Sequence, residues 1–412
     1  KEYSSEMESL IINSGGIILE TGGITSDTAI LCREFDIPAI VGAAGAFTIF
    51  KEGQTVRLDG NTGSIYIEKD QQSPTPHPVV QAYKEESLSG VDLLKSEVVS
   101  EEVVPMKAVD DEVRIPHDMN LAPSATKVFL NPTGEVSKLI DSVGNSHGIV
   151  HVDLDKMMVE DGRHLLAYVE DKKFVEYSKI LADKICKYSD LAEGNQVILS
   201  LGSLRVSDFR SLTKGKQLEN GDLSDSVHGL SHYLANKELL NRVIKIVRRV
   251  RNINKRRNID IAIYSPGNPK AMTEFKKALL AGGLRRGTSF SVYAILDNPT
   301  DIILADDILG VNIDGLIIDL PRIVKGMQGF EYDAQDVKYD LSANSSLKVI
   351  DAVCDVSKSP SKEIIVMAED NKDVVKYSVQ KGVYGVSVSV DSIRDIRKIV
   401  SDEEAKIILS KR

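Results

Sequence analysis

The groups in this chain equipped for chemistry are carboxylates, hydroxyls and a few imidazoles, and their spacing sorts them into a small number of candidates. Thr25-Ser26-Asp27 follows the Gly22-Gly23 pair and precedes an apolar run, which predicts a helix beginning at residue 27. The free N–H groups of a helix start favour anions, and an aspartate there can accept a phosphoryl group. A carboxylate at that point is also a routine cap that complements the helix dipole. The capping reading is favoured, with Thr25 and Ser26 sharing the role. His228 and His232 lie four apart and could share a helix face, but no third ligand is adjacent, so a metal site is disfavoured. Arg248-Arg249, Arg251 and Lys255-Arg256-Arg257 make a basic cluster at a helix end, read as a solvated face or subunit contact ahead of an anion site. Glu369-Asp370 and Asp391 are acids that follow apolar runs. They are either exposed loop carboxylates or a new site.

The elements that must position these groups fall into two patterns. In the first 70 residues, Leu10-Ile11-Ile12 and Gly16 to Leu19 read as short buried strands. Thr55 to Leu58 and Ser64 to Glu68 alternate as strands joined by the hairpin-type turn Asp59 to Gly63. Residues 71–123 begin Pro-rich and continue acidic with little periodicity, which suits either a linker or a surface segment packed onto its neighbours. From residue 124 onward, eight short, branched, apolar runs alternate with helical patterns: 127–130, 148–152, 196–200, 259–263, 290–295, 315–318, 363–367 and 385–390. Nearly continuous apolar runs suit strands buried on both faces of a parallel sheet. Leu239 to Val250 and Ala271 to Leu280 read as helices, the second stopped by Gly282-Gly283. Eight such units in series favour a closed (β/α)8 barrel over an open doubly wound sheet. The fold class is therefore α/β. The longest insertion, Gly202 to Asn236, follows the third strand.

Composition narrows the partners. The 412 residues suit two or three domains, and 42% apolar with 27% charged residues is ordinary for a soluble globular chain. A net charge of -10 argues against a nucleic-acid partner, since phosphate backbones demand a positive surface. Cys32, Cys186 and Cys354 are far apart in no metal-like spacing, which points to a reducing compartment. No apolar run approaches the ~20 residues that span a bilayer, and the first residues lack signal-peptide character. These features predict a cytoplasmic protein with no membrane partner.

The stretch Gly22-Gly23-Ile24-Thr25-Ser26-Asp27-Thr28-Ala29-Ile30, with Arg33-Glu34 and Ile37 to Gly42, resembles the phosphohistidine (swivelling) domain signature of the phosphoenolpyruvate-utilising enzymes. That family includes phosphoenolpyruvate synthase, pyruvate phosphate dikinase and enzyme I of the bacterial phosphotransferase system. Leu201 to Arg210, Ala294 to Asp306 and Asp314 to Ile323 resemble, more weakly, successive segments of its barrel. The resemblance implies a partial swivelling domain over 1–70, a linker over 71–123 and a phosphoenolpyruvate/pyruvate-type barrel over 124–412. It also implies that the chain is the C-terminal part of a longer polypeptide.

The resemblance further implies a pattern of loss. Asp27 stands at the phosphoryl-carrier histidine. Asp153, Ser200 and Ser203 stand where the substrate pocket carries arginines and an aspartate. Asp297 stands at the metal-binding glutamate and could still hold magnesium, but Arg322 stands at its partner acid and would repel a cation. Met367 stands at the proton-donating cysteine and has no proton to give. The expectation is a catalytically degenerate homologue with no cofactor, Mg2+ being implied by resemblance alone, that binds no small-molecule substrate and serves as a self-assembling homo-oligomer. Two alternatives remain: an active phosphotransferase of the pyruvate, water dikinase type using Asp27, and a regulatory module in which Asp297 holds magnesium.

Overall fold

The computed structural model describes residues 11, 14–23, 26–34, 37–60, 63–67, 124–132, 139–331, 334, 337–356 and 362–410. The chain divides into two compact units, Lys1–Arg114 and Ile115–Arg412. The expected linker over 71–123 lies outside the described residues.

In the first unit, β1 (Ile17–Leu19) pairs in parallel with β2 (Ala39–Val41), and β3 (Val56–Asp59) pairs antiparallel with β4 (Ser64–Ile67). Asp59 faces Ser64 across the hairpin, as the turn residues predict. Ile40, Ala43, Ala46 and Ile65 form a small core, with Ile18, Phe50, Val56 and Leu58 packed on it. The helix Asp27–Glu34 starts where expected. Its cap bond is made by Ser26, whose Oγ accepts from the Ala29 N–H at 3.3 Å. The Asp27 side chain lies outside the described residues, as does Thr25. Ile11, expected in a strand, has helical backbone.

In the second unit, eight parallel strands close into a barrel in chain order: β5 (Lys127–Leu130), β6 (Gly148–Asp153), β7 (Gln196–Leu201), β8 (Ile259–Tyr264), β9 (Val292–Leu296), β10 (Gly315–Asp319), β11 (Glu363–Met367) and β12 (Gly385–Val388). β12 pairs back onto β5. Side chains alternate between the two faces of each strand. One set, including Val128, Ile149, Val197, Ile261, Ala294, Leu316, Ile364 and Val386, packs with the surrounding helices. The other set fills the interior: Phe129, Val150, Ile198, Ala262, Ile295, Ile317 and Ile365. Two residues on from that layer, the same period brings Ser200, Tyr264, Asp297, Asp319 and Met367 to the C-terminal ends of their strands. The apolar middle layer forms a floor, and the polar residues form the mouth above it. The C-terminal helix Ile393–Ser410 fastens the closure, since Glu404 accepts the backbone N–H groups of Ala125 and Thr126 at 3.0 and 2.7 Å.

Two sequence expectations need correction. The basic cluster is not simply a solvated face. The helix Lys237–Arg248 runs on into a π-helical turn, Arg249–Ile253, in which Arg249 and Arg251 are buried. Arg251 donates to the carbonyls of Arg257, Ile259 and Ser289 and lies over the Phe290 ring. Its guanidinium is a structural tie, because a fork of five donors can satisfy several strand-start carbonyls at once. The two histidines also part company: His228 is the residue before the helix Gly229–Ala235, while His232 is inside it and fully buried. Among the described residues no helix is long and apolar enough to cross a membrane.

Candidate functional site at the barrel mouth

Barrel chemistry belongs at the C-terminal strand ends, and here those ends hold a continuous polar network. β6 carries a bulge between Val150 and Val152, with His151 at φ +71°. One extra residue in a strand re-aims its side chain. His151 thereby places Nε2 2.7 Å from the Tyr264 hydroxyl and Nδ1 3.4 Å from Asn131 Oδ1. Burial holds its imidazole below the ordinary histidine range, against the pull of Asp153 and Asp319. Tyr264 also donates to Asp319 Oδ2 at 2.9 Å.

The expected pocket positions come to the strand ends, where Asp153 binds Ser203 and Asp297 faces Arg322. Asp153 ends β6 and caps the helix Leu154–Val159, accepting from the Lys156 N–H at 3.1 Å. The Ser203 hydroxyl donates to the same Asp153 Oδ1 at 2.8 Å. Ser200 is fully buried near the end of β7, its hydroxyl 3.5 Å from the Val152 carbonyl. Met367 ends β11 as part of the apolar interior.

Asp297 and Arg322 form the centre. Asp297 follows β9 and is 3% exposed. Its Oδ1 accepts from Ser265 at 2.7 Å and from the Asn298 amide at 3.3 Å, and its Oδ2 lies 2.9 Å from His228 Nε2 and 3.4 Å from Arg322. Burial raises its carboxyl pKa, but the His228 hydrogen bond, the charges of His228 and Arg322, and the Ser265 hydroxyl together bring it below the usual carboxylate value. The nearby Asp301 accepts from the Asn298 amide at 2.8 Å and the Asp297 N–H at 3.2 Å, but burial and the Asp297 charge push it up to about 8. Ser265, His228 and Asp297 match a catalytic triad in composition but not in roles. In a working triad the aspartate holds one imidazole nitrogen while the serine meets the other. Here Ser265 Oγ (2.9 Å) and Asp297 both face His228 Nε2, and the serine donates directly to the carboxylate. The set is a closed hydrogen-bonded cluster in which the serine hydroxyl is committed to the carboxylate.

The insertion after β7 is what delivers His228. Gly202 (φ +85°) and Gly229 (φ +67°) pass at contact distance: a Cβ on Gly202 would lie 2.5 Å from Gly229 Cα. A Cβ on Gly229 would lie 2.5 Å from the Tyr264 carbonyl oxygen. Glycine is required at both for backbone approach and for positive φ. Two buried acids then pin the excursion down. Asp155 accepts from the N–H groups of Gly202 and Leu204 and from Tyr233 at 3.0, 3.4 and 2.6 Å. Burial, then the Asp153 charge, push its pKa up to about 7. Glu219 lies 2.8 Å from His164 Nε2 and 2.9 Å from His232 Nε2, with all three side chains at 0% exposure. Burial would raise the Glu219 pKa, but the two imidazole hydrogen bonds outweigh it and bring it down to about 2.

The remaining rim acids are engaged or exposed. Asp370 accepts from Ser389 N–H and Oγ at 2.7 and 2.5 Å, Glu369 accepts from Tyr339 at 2.7 Å, and Asp391 is exposed. Among the described residues no group of three His, Cys, Asp or Glu is placed to hold a metal. A magnesium ion would need near-octahedral oxygen ligation at about 2.1 Å. Asp297 instead has both oxygens committed and a guanidinium at 3.4 Å, so the donors present do not fit the ion. The chain's sequence had offered Asp153, Ser200, Ser203, Asp297, Arg322 and Met367 as the mouth. It concealed His151, whose only signal was a lone imidazole inside an apolar run, along with Tyr264, Ser265 and Asp319.

Comparison with known proteins places these features. The sequence pattern of the "PEP-utilising enzyme, mobile domain" matches residues 1–63. The probable phosphoenolpyruvate synthase of Staphylothermus marinus is 23% identical over 411 residues, covering 96% of this chain and 46% of its own length. The phosphoenolpyruvate synthase of Aeropyrum pernix is 22% identical over 414 residues, covering 97% of this chain and 47% of its own length. The chain thus spans about half the length of the curated relatives it matches. Solved structures are less similar: a citrate lyase beta subunit from M. tuberculosis, complexed with oxaloacetate and magnesium, aligns at TM-score 0.37 and 9% identity over 67% of this chain and 97% of its own. Malate synthase from Haloferax volcanii aligns at TM-score 0.42 and 8% identity over 68% of this chain and 74% of its own. With the mobile-domain pattern matching its start and synthase relatives aligned along nearly its whole length, the chain is similar to the phosphoenolpyruvate-utilising enzymes.

Proposed function

We propose that this chain is the C-terminal part of a phosphoenolpyruvate synthase homologue that has lost phosphoryl-transfer chemistry and serves as a self-assembling scaffold. The observation that carries the reading is the closed network at the mouth. A small phosphate ester with three negative charges needs bidentate cationic donors and a hard cation. The mouth offers Asp153, Asp297 and Asp319, while its guanidinium is already shared between Asp297 and Asp319. Repulsion from misplaced acids does more than the loss of an arginine, since it acts on the ligand directly. With the chemistry gone, association through the barrel, which the family resemblance implies, is the simplest retained role. Free thiols at Cys32, Cys186 and Cys354 suit a reducing compartment, so the reading includes a cytoplasmic location.

Two measurements test it. Calorimetric titration with phosphoenolpyruvate and magnesium should give no binding heat, and incubation with radiolabelled ATP should leave the protein unlabelled. A hydroxylamine-labile label on Asp27 would replace this reading with that of an active phosphotransferase. Sedimentation at micromolar concentration should show a homo-oligomer; monomer alone would remove the scaffold role.

A further inference from the structure

We propose that the Arg322 guanidinium is a built-in replacement for a divalent cation, holding the mouth's carboxylates together as a metal would. The guanidinium reaches polar groups on three different strand ends. Nη1 lies 3.4 Å from Asp297 Oδ2 after β9, Nε 3.4 Å from Asp319 Oδ2 on β10, and Nη2 3.3 Å from the Ser203 carbonyl after β7. The ring of Tyr264, which ends β8, lies beneath it at 4.3 Å, a cation–π arrangement that a buried positive charge favours. Each of these three contacts is longer than an ordinary N–H···O bond, so the charge is shared among groups on several strands.

Two features tether the charge there. Asp319 Oδ1 accepts Arg322's own backbone N–H at 3.2 Å while Oδ2 faces its side chain. One carboxylate therefore fixes both ends of the same residue, and the Tyr264 hydroxyl holds that carboxylate in turn. The need for a cation is equally clear. The Asp297 and Asp319 side chains are 1% and 6% exposed, and carboxylates so buried demand a counter-charge. Asp153, His151 and His228 are the other titratable groups facing the cluster.

The inference rests on the reading that the mouth takes no metal, and the experiment separates the two. Mn2+ binding to the full chain is followed by electron paramagnetic resonance for the wild type, Arg322→Ala, Arg322→Gln and Arg322→Lys. The wild type and Arg322→Lys, which keep a tethered positive charge, should leave the free Mn2+ signal undiminished. Arg322→Ala and Arg322→Gln should bind Mn2+ at least tenfold more tightly than the wild type, and Mg2+ should raise their melting temperatures without moving that of the wild type. Adding Asp297→Asn to Arg322→Ala should abolish the gain. Folded Arg322→Ala and Arg322→Gln proteins with wild-type Mn2+ affinity would overturn the inference while leaving the loss-of-chemistry reading intact. Tight Mn2+ binding by the wild type would overturn both. Variants that are insoluble even with Mg2+ would also count against it, because the ion is required to do the work of the guanidinium.

Discussion

Replacing Glu219 with glutamine gives the sharpest stability test of how the insertion is held. His164 Nδ1 accepts the Leu166 N–H at 3.2 Å, so its Nε2 must carry the proton that points at Glu219. Among the described residues His232 Nδ1 has no hydrogen-bond partner, and it is buried, so moving the proton there to suit a glutamine amide would bury an unsatisfied donor. A carboxylate can accept from both rings, whereas an amide can accept from one and must oppose the other. The carboxyl pKa falls from its ordinary 4.5 to about 2. Those roughly 2.5 units, at about 1.36 kcal/mol each, amount to about 3 kcal/mol. Two hydrogen bonds to a charged acceptor give a similar size, at roughly 1.5–3 kcal/mol each before desolvation is subtracted.

The sign follows from the unfolded chain binding more protons than the folded one between the two pKa values. The stabilisation is therefore fully present above about pH 4.5 and is lost as pH falls toward 2. Urea denaturation followed by circular dichroism should show Glu219→Gln less stable than the wild type by about 2–4 kcal/mol at pH 7, with the gap narrowing between pH 5 and 3. A loss under about 0.5 kcal/mol at pH 7, or a gap that does not narrow in acid, would refute the reasoning.

Two further outcomes are expected. Burial raises the Asp260 carboxyl at the barrel's other end from 3.8 to about 6, against hydrogen bonds from Ser291 and Gln196. A raised acid costs stability as pH climbs through that window, so the wild type should lose up to about 3 kcal/mol relative to Asp260→Asn between pH 4 and 7 in paired urea titrations; parallel titration curves would contradict this. Gly229→Ala meets the Tyr264 carbonyl at 2.5 Å and is strained at φ +67°, so it should cost about 3 kcal/mol or more in the same assay. A near-neutral result would mean that the glycine crossing is not tight.

Much of the barrel was legible because the signal is local. Branched apolar runs such as 259–263 and 363–367 have no other home than a strand buried on both faces, and both sit in strands at those positions. The boundaries drifted where the strand–loop change is gradual, as at β9, which begins at Val292 rather than Phe290. The mouth was half legible. Asp153 and Asp297 could be placed through the family resemblance, whereas His151 needed a bulge that the run Gly-Ile-Val-His-Val does not announce. His228 reaches Asp297 across 69 residues, and no periodicity encodes such a contact. The basic cluster was misread because arginine's charge suggests solvent, while Arg251's value here lies in satisfying three carbonyls.

The crossing of Gly202 and Gly229 has a wider consequence. A segment that departs and returns at one point is topologically a side branch, so its interior can lengthen or shorten with an entropic cost that grows only logarithmically with residue count. Descendants of such a barrel could swap this branch wholesale and keep the staves unchanged, provided the new one still supplied an acid to meet His164. The branch is thus where this barrel has most room to acquire a different occupation.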